Sequence, residues 1–137
     1  MSKPNPIIVP RILWAALFVS TCLYVVVLGL TDTEGRTGFE AISMELAIAG
    51  SVTAGLSLLG PRLFASTARP AGAADAAGAG TYLVRFILSM ALAEAVAIYG
   101  LVLGLAGAPT RMVLPFFAVA WVLMLIRFPS REQMEAQ

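Results

Sequence analysis

Histidine is absent from the 137-residue chain, and cysteine occurs once, as Cys22. Without imidazole there is no Ser-His-Asp or Cys-His pair for nucleophilic catalysis and no His-based metal site. A lone thiol excludes zinc knuckles and any disulfide within one chain. Charge is scarce as well: Asp, Glu, Lys and Arg make up 12% of the residues, against roughly 25% in a soluble domain. A formal net charge of +1 removes the electrostatic case for nucleic-acid binding. Apolar residues fill the space that charge leaves. They make up 59% of the chain and give a mean hydropathy of +0.87, which points to a bilayer protein. The length predicts a single membrane domain with no separate soluble one.

Four apolar stretches predict helices over about 12–30, 39–64, 82–105 and 112–127. The first has 19 residues without a charge from Ile12 to Leu30; at ~1.5 Å per residue that is about 28 Å, close to the ~30 Å hydrocarbon core. Lys3 and Arg11 precede it as the basic region of a signal peptide would. The apolar run exceeds the usual ~7–15 residues, however, and Thr31-Asp32-Thr33-Glu34 offers no small-residue cleavage pattern, so a retained helix is predicted. The fourth stretch is short, with Arg111 and Arg127 expected to reach the interfaces from its ends and Pro115 expected in its first turn. Residues 65–80, rich in Ala and Gly, predict a flexible loop.

Orientation follows from basic side chains beside each membrane face. Lys3, Arg11, Arg62, Arg69, Arg85, Arg127 and Arg131 fall on one face, and Arg36 and Arg111 on the other. The expected fold is therefore an all-α integral membrane four-helix bundle with both termini cytoplasmic, in a bacterial inner membrane.

One acid breaks the apolar pattern far from any helix end. Glu94 lies 12 residues beyond Tyr82, about 18 Å into the membrane at helical rise. An acid at such depth costs at least ~2.5 kcal/mol on insertion scales and is a functional candidate by default. Arg85, nine positions earlier, falls on the opposite face of the helix and nearer its start. Glu45 sits in the interfacial zone, where a carboxylate reaches water. If helices two and three form an antiparallel hairpin with Ala65 beside Thr81, Glu94 comes level with Val52. Gly50, Ser51, Thr53, Ala54 and Gly55 are then its expected neighbours, small residues for close approach and hydroxyls for hydrogen bonding. Gly100 and Gly104 form a GxxxG pattern suited to helix packing. Trp14, Trp121, Tyr24 and Tyr82 read as interface or packing aromatics, and Cys22 and the methionines as lipid-facing or packing groups.

The stretch Ala91-Leu92-Ala93-Glu94-Ala95-Val96-Ala97-Ile98-Tyr99-Gly100-Leu101 is very similar to the signature of the carboxylate-bearing helix in the proteolipid c subunits of F-type and V-type rotary ATPases. The run Ala47-Ile48-Ala49-Gly50-Ser51-Val52-Thr53-Ala54-Gly55-Leu56 resembles that family's Gly-rich first helix, and Ala68-Arg69-Pro70 its polar loop with the Gln missing. The resemblance spans about residues 47–105 and implies a central c-like hairpin, here with one extra helix before it and one after. It implies that Glu94 is the proton-carrying carboxyl, loaded from one half-channel and emptied into another as a ring turns against a stator. Tyr99, inside the same stretch, joins Gly50, Ser51, Thr53 and Ala54 as a supporting residue.

Three functions are carried forward: a proton-binding membrane subunit of this c-like kind; a structural or assembly subunit with Glu94 as a buried hydrogen-bonding anchor; and a small secondary transporter. The expected partners are the lipid bilayer and either further copies of the chain or the subunits of a larger membrane complex. Neither enzymatic activity, metal nor cofactor is expected.

Overall fold

Each of the four apolar stretches folds as an α-helix. The structure, a computed structural model, describes residues 8–33, 36–67 and 76–129, and the side chains of 61–82 lie outside that description. The helices are α1 (Ile8–Leu30), α2 (Phe39–Thr67), α3 (Ala76–Leu105) and α4 (Thr110–Ile126). Three contain segments long and apolar enough to cross a membrane, namely Ile8–Leu30, Phe39–Gly60 and Leu83–Leu105. With 17 residues, α4 reaches only about 26 Å.

The helix ends depart from the expected ones for local reasons. The described part of α1 begins at Ile8, four residues before the expected 12, and so takes in Pro10. Helix α3 starts at Ala76, six residues before the expected 82, so the loop over 65–80 is shorter than its composition suggests. Alanine is the strongest helix former, and Ala76, Ala77 and Ala79 outweigh the penalty of about 1 kcal/mol for each intervening glycine. The rest of that loop, with Ala68-Arg69-Pro70, lies outside the described residues, as do Lys3 and Arg131. Helix α4 starts at Thr110, which moves Pro115 out of the first turn and into the helix. Its ring therefore costs the helix the N–H that would have bonded the Arg111 carbonyl.

Helix α3 packs against each of the other three, whereas α1 and α2 scarcely touch. Its buried stripe, Phe86, Ser89, Met90, Ala93, Val96, Ala97 and Leu103, repeats at three and four residues, the spacing that keeps one helical face inward. On α4 the matching stripe is Val113, Phe117, Ala120, Leu123 and Met124. The two stripes meet in two apolar clusters, one around Ala97 and Phe117 and one around Met90 and Met124.

Helices α2 and α3 run antiparallel. The buried Ser57 hydroxyl donates to the Ser89 carbonyl at 3.2 Å, and the Ser89 hydroxyl to the Phe86 carbonyl at 2.8 Å. Ser57 lies eight residues back along α2 from Ala65, and Ser89 eight forward along α3 from Thr81, so the register is the one the sequence predicts.

The turn from α3 to α4 is closed by glycine. Gly107 adopts φ +95°; its N–H bonds the Gly104 carbonyl at 3.0 Å and the Ala108 N–H bonds the Leu103 carbonyl at 3.2 Å, the paired bonds of a Schellman cap. Arg36 completes it by donating to the Leu105 carbonyl at 2.7 Å. A Cβ at Gly107 would lie 2.5 Å from the Arg36 carbonyl oxygen. The α1–α2 connection is thereby fastened to the α3–α4 turn.

Arg127, just past α4, does not reach outward as expected. Its guanidinium turns inward and donates to the Ser57 carbonyl on α2. Partial burial pushes its pKa below the ordinary arginine value.

Candidate functional site

Glu94 lies eleven residues from Leu83 and eleven from Leu105, at the middle of the apolar segment of α3. At helical rise that is about 16 Å from either end. Its neighbours along α3 explain its exposure. Met90, Ala93 and Ala97 belong to the inward stripe and are fully buried, while Glu94 stands at the edge of that stripe and is half-buried.

The partners of the carboxyl come from α1. The Tyr24 hydroxyl donates to Glu94 Oε1 at 2.9 Å and the Ser20 hydroxyl donates to the same oxygen at 3.2 Å. Four residues separate Ser20 and Tyr24, which puts both on one face of α1. Both donors fall on Oε1, which can accept two hydrogen bonds. Oε2 is thus the oxygen that would carry a proton in the neutral acid, and the two hydroxyl bonds survive in either protonation state. Among the described residues no basic side chain pairs with the carboxyl.

A second polar contact sits beside this one. Thr21, fully buried, accepts from Trp121 Nε1 of α4 at 3.1 Å and donates to the Phe18 carbonyl at 2.8 Å. Nearer the start of α1, Trp14 Nε1 donates to the Met124 carbonyl at 2.8 Å, and its ring stacks on Phe18 at 5.2 Å. Only Pro10 and Thr21 of α1 are buried. The helix is held by polar bonds, Ser20 and Tyr24 to α3 and Thr21 and Trp14 to α4, together with Leu13, Leu17, Phe18 and Leu28, which pack against the apolar clusters.

The hydrogen bonds to Glu94 come from α1, and the residues expected around it on α2 make other contacts. Ser51 is exposed, and its hydroxyl bonds the Ala47 carbonyl of its own helix at 2.8 Å. Thr53 is buried, and Ala54 packs against both apolar clusters. A Cβ on Gly50 would lie 2.7 Å from Phe116 Cε1 and 3.8 Å from Tyr99 Cδ2, so Gly50 and Tyr99 belong to a junction with α4. The level of Glu94 along the hairpin agrees with expectation, but its carboxyl is bound from α1, for a reason of rotation: Ala93 and Ala97 take the inward stripe, and Glu94 stands beside it. The GxxxG glycines both sit at close approaches. A Cβ on Gly100 would be 2.7 Å from Phe116 Cβ of α4, and one on Gly104 would be 2.7 Å from Leu28 Cδ2 of α1.

Sequence reasoning missed Ser20, and it placed Tyr24 among the packing aromatics. The signal was present. Ser20, Thr21 and Tyr24 are the only hydroxyl-bearing residues between Ile12 and Leu30, and they cluster at the middle of their helix as Glu94 does at the middle of its own. Hydroxyls and an acid at matched depth satisfy one another where lipid offers no partner.

Among the described residues no three Cys, Asp or Glu side chains converge to hold a metal ion. Comparison with protein-family models, curated proteins and solved structures returned no match to this chain.

Proposed function

We propose that the chain is a small multi-pass membrane subunit in which Glu94 binds and releases a proton, by analogy with the proteolipid c subunits its third helix resembles. The observation that carries this reading is a half-buried carboxyl at the middle of an apolar helix, held by two neutral hydroxyls and, among the described residues, by no cation. A carboxyl fixed by a cation is committed to its charge, whereas one held by hydroxyls can be bound in both states. The bias of basic residues supports an arrangement with both termini in the cytoplasm, and a bacterial inner membrane is the compartment proposed with it. Function in copies of itself or within a larger membrane complex fits the c-like reading.

A second reading has an observation of its own. Both donors to Glu94 lie on α1, a helix that buries little else, so Glu94 would serve as the anchor that holds α1 in a larger assembly.

Two variants separate these readings, with assembly read in native membranes and proton movement in reconstituted vesicles. Under the first, Glu94→Gln abolishes proton movement through reconstituted vesicles while leaving assembly intact, because glutamine hydrogen-bonds without titrating. Under the second, Glu94→Gln is silent and Glu94→Ala releases α1 or the partner subunits. Unchanged proton flux in Glu94→Gln overturns the first reading.

A further inference from the structure

We infer that Tyr24, together with Ser20, is the positioning element for the Glu94 carboxyl, turning Oε1 toward α1 and leaving Oε2 to take and give the proton. The inference deepens the proton-exchange reading and rests on it for its functional meaning. Its ground is geometric. Two hydroxyls one helical turn apart converge on a single carboxyl oxygen, 2.9 and 3.2 Å away, on a helix outside the segment that resembles a c-type hairpin. Among the described residues that hairpin supplies no hydrogen bond to Glu94: Ser51 bonds its own helix, and Gly50 lies against Phe116 and Tyr99. The N-terminal helix α1 thus completes the site.

The chemistry follows from the donors. A hydroxyl donating to a carboxylate stabilises the charged form more than the neutral one. Of the elements packed on α3, α1 presents Tyr24 as the titratable group facing the carboxyl, with the uncharged Ser20 beside it. Among the described residues, α2 and α4 present no charged side chain bonded to it. With Oε1 held on the α1 side, Oε2 is the oxygen left for proton delivery.

The test is isotope-edited infrared titration of the full chain in lipid vesicles, with the Glu94 carboxyl bands assigned by their loss in Glu94→Gln. Tyr24→Phe is expected to shift the carboxyl stretch, because the shorter of the two hydrogen bonds to Oε1 is lost. Ser20→Ala, which removes the longer bond, shifts it in the same direction by less. Trp121→Phe cuts the neighbouring α4–α1 bond to Thr21 and leaves it unchanged. A band unaltered in Tyr24→Phe, or moved equally in Trp121→Phe, overturns the inference. If the wild-type carboxyl does not titrate but Tyr24→Phe still shifts its band, positioning stands and the proton-exchange reading fails. If it titrates and Tyr24→Phe changes nothing, the reading stands and the inference fails.

Discussion

At the scale of single residues, the molecule turns on where small side chains let helices touch and where one acid is satisfied. Phe116 of α4 lies against both Gly50 of α2 and Gly100 of α3, and a Cβ on either glycine would approach its ring or Cβ to 2.7 Å. Gly100→Ala therefore forces Phe116 or the backbone to shift, a change that costs about 1–3 kcal/mol in a packed core. Gly55, with nothing within 4 Å of a built Cβ, tolerates the same change, and alanine's better helix propensity makes it neutral or stabilising by up to about 1 kcal/mol. Thermal unfolding of the two variants in detergent should separate them, and equal melting temperatures would contradict the close approach. Glu94 itself is legible in the sequence, because an acid amid uncharged helix needs no structure to stand out. Its partners are not, because register fixes the level of a side chain and only rotation about the helix axis fixes its direction. The Ala65–Thr81 alignment gives the right level, but the inward places go to Ala93 and Ala97, leaving Glu94 to be met by α1.

At the scale of elements, α1 and the end of α4 make polar contacts that hydropathy does not report, beside the apolar packing that it does. The apolar run of α1 is visible in the sequence, whereas its attachment through Trp14, Ser20, Thr21 and Tyr24 depends on which helices stand beside it. Arg127 is the parallel case at the end of α4. An arginine at a helix end reads as one that reaches outward, but the short α4 ends level with Ser57, and the guanidinium finds that backbone carbonyl instead. Arg127→Met keeps the aliphatic stem and removes the donor, leaving the carbonyl one partner short. A loss of about 1–3 kcal/mol is expected, read as a lower melting temperature, and an unchanged one would show the contact to be dispensable. The extension of α3 back to Ala76 is a composition effect of another sort: an Ala- and Gly-rich stretch suits both a linker and a helix, and here the alanines decide.

At the scale of the whole molecule, α3 is the central element and the helix that bears the acid, so α1, α2 and α4 are arranged around the residue on which function is proposed to depend. Charge placement supports both termini in the cytoplasm, and it is testable without a structure. In a Cys22→Ser background, Thr33→Cys should react with a membrane-impermeant thiol reagent in intact cells, whereas Ser130→Cys should react only after permeabilisation; the reverse pattern would invert the topology.

The central claim is that Glu94 exchanges a proton within the membrane. A hydrophobic carbodiimide that modifies protonated carboxyls, applied to native membranes across a pH series and followed by peptide mass spectrometry, tests it most directly. The account predicts labelling at Glu94 that falls as pH rises and is absent in Glu94→Gln. Absence of labelling at Glu94 at every pH would contradict it.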